Sequence, residues 1–172
     1  MRSIEKEINA WLNQKFEGRE NGVILDTHDL YSFEQIQDFI EAHDRPVKTP
    51  VIYYQAFADE NLAEFIDTLE EELRGKLGYN SSKSCLTMGE LIAKTELRTV
   101  AIDQSYLYTW ETINGLWKWL KEHQVGLILV CSQANIEDSQ ILNHPVISQW
   151  DRFIVSADFS CASASCCSSL IA

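Results

Sequence analysis

Three short stretches carry side chains that could do chemistry. The first, "LDTHDLYS" at residues 25 to 32, gathers Asp26, Thr27, His28, Asp29 and Ser32 after a short apolar run. A histidine between two carboxylates can work as an acid-base group, although the same residue types also cap turns. The second, "VAIDQS" at 100 to 105, ends in Asp103 followed by Gln104. An aspartate there can hold a cation, and the amide after it cannot take a proton from water. The third, "VCSQ" at 130 to 133, supplies Cys131 and the hydroxyl of Ser132.

The elements that must position these groups follow from hydrophobic periodicity. Five apolar runs, at 22 to 25, 50 to 54, 99 to 102, 126 to 131 and 152 to 155, lack the alternation of a half-exposed strand. Continuous apolar character of that length is the pattern of strands covered on both faces. An amphipathic helix with Ile4, Ile8, Trp11, Leu12 and Phe16 precedes the first run, and helical patterns occupy roughly 32 to 43, 59 to 77, 87 to 96 and 109 to 123, with a weaker one near 136 to 150. Parallel strands need such crossovers, so a three-layer α/β sandwich around a mostly parallel five-stranded sheet is predicted. In it Asp26, Gln55, Asp103 and Ser132 share the carboxyl edge, where ligands bind in open parallel sheets.

The core-facing stripes are expected to be Leu62, Phe65, Ile66, Leu69 and Leu73 on one helix, with Gly78 as its stop, and Trp110, Ile113, Leu116, Trp117 and Leu120 on another. The reading gives a single domain over 1 to 156. From 157 to 172, "ADFSCASASCCSSLIA" is dominated by Ser, Ala and Cys and is expected to be a disordered tail.

With 172 residues the chain is long enough for one sizeable core, and its formal net charge of -12 sets 26 acids against 14 bases. That balance argues against autonomous nucleic-acid binding, which needs several phosphates neutralised. No apolar stretch reaches the length that spans a bilayer, and the charged start is unlike a signal peptide, so a cytoplasmic protein is expected. Five cysteines without a C-x-x-C pair are read as reduced thiols rather than metal ligands.

The segment "LRTVAIDQSYLYTWETINGLWKWLKEHQVGLILVCSQANI" resembles the Walker B to sensor 1 region of AAA+ ATPases, in particular the TnsC and TniB type regulators of bacterial DNA transposons. "TPVIYYQAFADENLAEFIDTLEEELRGKLGY" is similar to the second strand and helix of that family, and the resemblance covers about residues 4 to 156. It implies a P-loop NTPase-like sheet of order 5-1-4-3-2 in the numbering of that fold. In that arrangement the third strand is expected between the first and the fourth, and the five-strand reading can pair differently.

The resemblance also implies roles, and the departures from it change them. Asp103 matches the acid that holds a magnesium-bound water, Gln104 replaces the glutamate that polarises the attacking water, Ser132 falls at the sensor position, and Cys131 replaces a glycine. Where the family carries G-x-x-x-x-G-K-S/T, the chain has Asp26, Thr27, His28 and Ser32 with neither glycine nor lysine. Arg152 is the nearest match to the trans-acting arginine, with Gln149 in one register, and the helical lid is missing. The expected protein is a degenerate AAA+ ATPase-like interaction module without ATP hydrolysis. It would bind ATP and Mg²⁺ only if the altered site stayed competent, and its expected partner is an intact AAA+ homologue or another transposition protein. Two alternatives are an active ATP-binding AAA+ protein and an unrelated small α/β enzyme built on His28 with Asp26 or Asp29.

Overall fold

A computed structural model describes residues 4–26, 38, 51–78, 85–132 and 141–155. Helix α1 (Ile4–Gly18) leads into strand β1 (Gly22–Asp26). After β2 (Val51–Gln55) come helices α2 (Leu62–Lys76) and α3 (Met88–Thr95), then β3 (Thr99–Asp103), α4 (Trp110–Glu122), β4 (Gly126–Ser132) and β5 (Asp151–Val155). All four strand pairings are parallel. The architecture is an α/β sandwich of three layers, as the strand and helix alternation predicts.

The sheet order is β2-β3-β4-β1-β5, which from the other edge reads 5-1-4-3-2. It is β4 that lies between β1 and β3, correcting the expectation that the third strand separates the first from the fourth. Pairing of Gly22 with Ile128 and of Thr99 with Gly126 puts Asp26 level with Ser132 and Asp103 level with Val130, so β1 ends two residues beyond β3.

Alternation of side chains along each strand sorts the core into two faces. One face, with Val23, Leu25, Ile52, Val100, Ile102, Leu127 and Leu129, is covered by Phe65, Leu69 and Leu73 of α2, Leu91 of α3 and Ile113, Leu116 and Leu120 of α4. The other, with Ile24, Val51, Ala101, Ile128, Val130 and Phe153, receives Ile8, Leu12 and Phe16 of α1. The expected stripes are therefore the buried ones, with Leu62, Ile66, Trp110 and Trp117 at their margins.

Helix ends obey local chemistry. α2 and α3 both start with a capping box, Asn61 with Glu64 and Thr87 with Glu90, in which side chain and backbone exchange hydrogen bonds. Past α2, Gly78 takes a φ of +73°, and its N–H donates to the Gly75 carbonyl. Over 141–150 the expected helix is absent from the described part: turns and a 3-10 turn at Ile147–Gln149 replace it. Pro145 supplies the reason, since it lacks an N–H and pushes the residue before it out of helical geometry. The helix read over 32 to 43 and the tail over 157 to 172 lie outside the described residues, apart from residue 38.

Candidate functional site at the carboxyl edge

Along the carboxyl edge the backbone register sets Gln55 beside Asp103, Asp103 beside Val130, and Asp26 beside Ser132. Asp26 and Asp103 are thus separated by β4, roughly 10 Å across the sheet at the usual strand spacing, and are two residues out of step along the strands. Thr27, His28 and Ser32 lie outside the described residues, and for Asp26 and Ser132 only the backbone is described.

Asp103 is the best-defined group of this edge. It is buried, and both of its carboxylate oxygens are engaged: the Tyr53 hydroxyl donates to Oδ2 at 2.6 Å, and the Gln104 N–H donates to Oδ1 at 2.7 Å. Burial raises its pKa above the ordinary aspartate value, and these two hydrogen bonds only partly oppose the rise. Gln104 adopts a left-handed φ of 53°, which turns the chain sharply into the 3-10 turn Ser105–Leu107. Under that turn the Ser105 hydroxyl meets the Cys131 thiol at 3.1 Å. Burial pushes Cys131 up to about 11, so the thiol is no nucleophile at neutral pH.

A second carboxylate ties two strand-end loops together. Glu60, between β2 and α2, accepts hydrogen bonds from the hydroxyls of Tyr54 and Tyr108. Tyr54 leaves the end of β2, Tyr108 closes the turn after β3, and the Ala56 N–H donates to the Asp103 carbonyl at 3.0 Å. Burial, then the bond to Glu60, raises both phenol pKa values, Tyr108 further than Tyr54. The two tyrosines are protonated donors at neutral pH. Asp59, next to the clamp, holds a φ of 63°.

Sequence reasoning found Asp103, Gln104 and Ser105 but missed Tyr53, Tyr54, Glu60 and Tyr108. The available signal was the adjacent tyrosine pair near the end of "VIYYQ". Consecutive strand residues face opposite sides, so the pair delivers one phenol to each face: Tyr53 to Asp103, and Tyr54 to Glu60.

Chemically, these groups suit a Mg²⁺-nucleotide poorly. The described strand-end residues, 55 to 60 and 103 to 105, contribute Asp59, Glu60 and Asp103 without a single base. Polyphosphate needs donors and positive charge. The only acid matching a magnesium ligand has both oxygens engaged and is disfavoured as an anion. Among the described residues no three of His, Cys, Asp and Glu gather as a metal site, and no helix is long and apolar enough to cross a membrane. No family model and no curated protein matches the chain.

Proposed function

We propose that the chain is a degenerate AAA+ ATPase-like domain of the kind that regulates transposon target selection, and that it acts by contacting another protein rather than by hydrolysing ATP. The observation that carries this reading is Asp103. It stands at the end of the interior strand β3, in a sheet of order 5-1-4-3-2, and it spends its carboxylate on Tyr53 and Gln104. An acid committed to internal bonds braces a turn. The residue after it is an amide, which cannot act as a general base.

The loops beside it support the same reading. Glu60, held by two tyrosines, ties the loop after β2 to the turn after β3, and Phe57 on that loop is 60% exposed. A fixed loop presenting an aromatic ring is a contact surface. The first expected outcome is that phosphate release from ATP and Mg²⁺ stays at background and does not change in Asp103→Ala. Release above background that disappears in Asp103→Ala would overturn the proposal and favour the active ATPase reading.

A further inference from the structure

The opposite, amino edge of the sheet carries a cleft of about 440 Å³, lined by Arg19, Glu96, Arg98, His123 and Gln124 with the wall of α3 from Gly89 to Ala93. That volume suits a small-molecule site. Three helices end at its rim in the same way. In α1, α3 and α4 the N–H of Glu20, Leu97 and Val125 returns to the carbonyl five residues earlier, at 3.0, 3.2 and 2.9 Å. Each closure puts a residue in the left-handed region: Arg19 at 52°, Glu96 at 56° and Gln124 at 58°.

Glycine is the usual residue at such a position because it bears no steric cost. Here all three positions carry long polar side chains instead, and all three line the cleft. The main chain already returns hydrogen bonds to the helix ends, so the arginines are not needed as hydrogen-bond caps; their charge offsets the negative ends of the three helix dipoles. Among the described residues the half-buried Arg98 guanidinium has no hydrogen-bond or ion-pair partner, and Arg19 makes only two bonds to Gln124, both at 3.4 Å. His123 bonds through Nδ1 to the Trp119 carbonyl at 2.9 Å. A carbonyl only accepts, so Nδ1 carries the proton, and in the neutral ring Nε2 is left as an acceptor.

We propose that this cleft binds a small hydroxylated organic anion: its phosphate or carboxylate pairs with Arg98 and Arg19, and a hydroxyl donates to His123 Nε2. Arginine forks match both kinds of oxyanion, and the imidazole acceptor on the same wall selects a ligand that also carries an O–H group. The site is separate from Asp103, which lies at the other end of β3.

Titration calorimetry of the full chain at low ionic strength tests this with glycerol 3-phosphate, citrate, inorganic phosphate and glycerol as probes. The expected result is saturable binding of glycerol 3-phosphate or citrate, with no binding of glycerol. Arg98→Gln should weaken it about tenfold or more, the usual worth of a charge-assisted pair, whereas Lys6→Gln, in the first turn of α1, and Asp103→Ala should leave it unchanged. Melting curves establish that Arg98→Gln is folded; if it is not, Arg19→Gln takes its place with the same expectation. The site is overturned if neither organic anion saturates, if glycerol binds as well, or if the arginine variant binds like the parent. Inorganic phosphate binding more tightly than glycerol 3-phosphate would overturn the hydroxyl recognition. Stabilisation by ATP that survives Asp103→Ala and is lost in Arg98→Gln would belong to this cleft and not to the carboxyl edge.

Discussion

Asp103 ends strand β3 with both carboxylate oxygens spent on internal hydrogen bonds. Its pKa is raised, so whatever stability its carboxyl contributes is fully present below the unfolded aspartate value and is lost as pH rises through the folded pKa. Asp103→Asn, which mimics the neutral acid, should therefore raise the melting temperature at pH 7, and the gain should shrink to nothing as pH falls below the carboxylate range. Tyr53→Phe removes a donor from the ion and should cost about 1–3 kcal/mol at pH 7 by denaturant titration. An unchanged midpoint would mean that water replaces the phenol. At Glu60, Tyr108→Phe should cost about 1 kcal/mol, and Glu60→Ala more, since it orphans two nearly buried hydroxyls. Equal losses would show that the two bonds do not form one clamp. Asp103 and Gln104 were legible because a strand end is readable from an apolar run. Glu60 was not, because its partners are 6 and 48 residues away and no local pattern links them.

At the scale of elements, strands and helices were readable because each buries a face with its own period, and the segment at 141–150 was misread because apolar residues there outweighed Pro145. One link no periodicity announces joins α1 to β5. The buried Lys15 on α1 pairs with Glu20 at 2.8 Å and with Asp151 at 2.7 Å, and the Trp11 indole N–H also donates to Asp151. Burial alone would lower the Lys15 pKa, but the hydrogen bonds to Asp151 and Glu20 outweigh it and raise the value, and the same bond to Lys15 lowers that of Asp151. The lysine's contribution is present below its unfolded pKa and lost as pH rises through the folded one. That of Asp151 is present above its unfolded value and lost as pH falls through the lowered one. The clamp thus works across the range between carboxylate and lysine titration. Lys15→Met and Asp151→Asn should each cost up to about 1 kcal/mol near pH 7, a small figure because both acids are half exposed. In melting curves across pH the Asp151→Asn penalty should vanish in acid, and a penalty constant down to the lowest pH would assign the effect to packing. Close approach at the neighbouring corner is equally specific: a Cβ on Gly126 would meet the Glu20 carbonyl oxygen at 2.8 Å and the Arg19 carbonyl carbon at 2.9 Å.

Taken whole, the molecule is an acidic α/β sandwich in which the exposed Phe57 stands on the loop that leads into α2, the most acidic of the described helices. The strand order matches the one implied by the resemblance, and topology of that kind follows from a few rules about crossovers, which is why it was legible; a partner is not, since partners are recognised by surface shape that no single sequence displays. On the protein-contact reading, α2 meets that partner. It exposes Glu64, Asp67 and Glu71, and Phe57 stands just before it. Charge of one sign around an apolar anchor fits a basic surface with a pocket, steers association at low salt and is screened by added salt. Co-expression with an intact AAA+ transposition regulator followed by pull-down should therefore recover a complex at low salt and lose it as salt rises. Phe57→Ala should weaken the complex at every salt concentration, because the ring contributes buried area and not charge. Replacing Glu64, Asp67 and Glu71 by glutamine should instead flatten the salt dependence. A complex insensitive to both changes would place the contact on another face, and no recovery at low salt would remove the protein-contact reading itself.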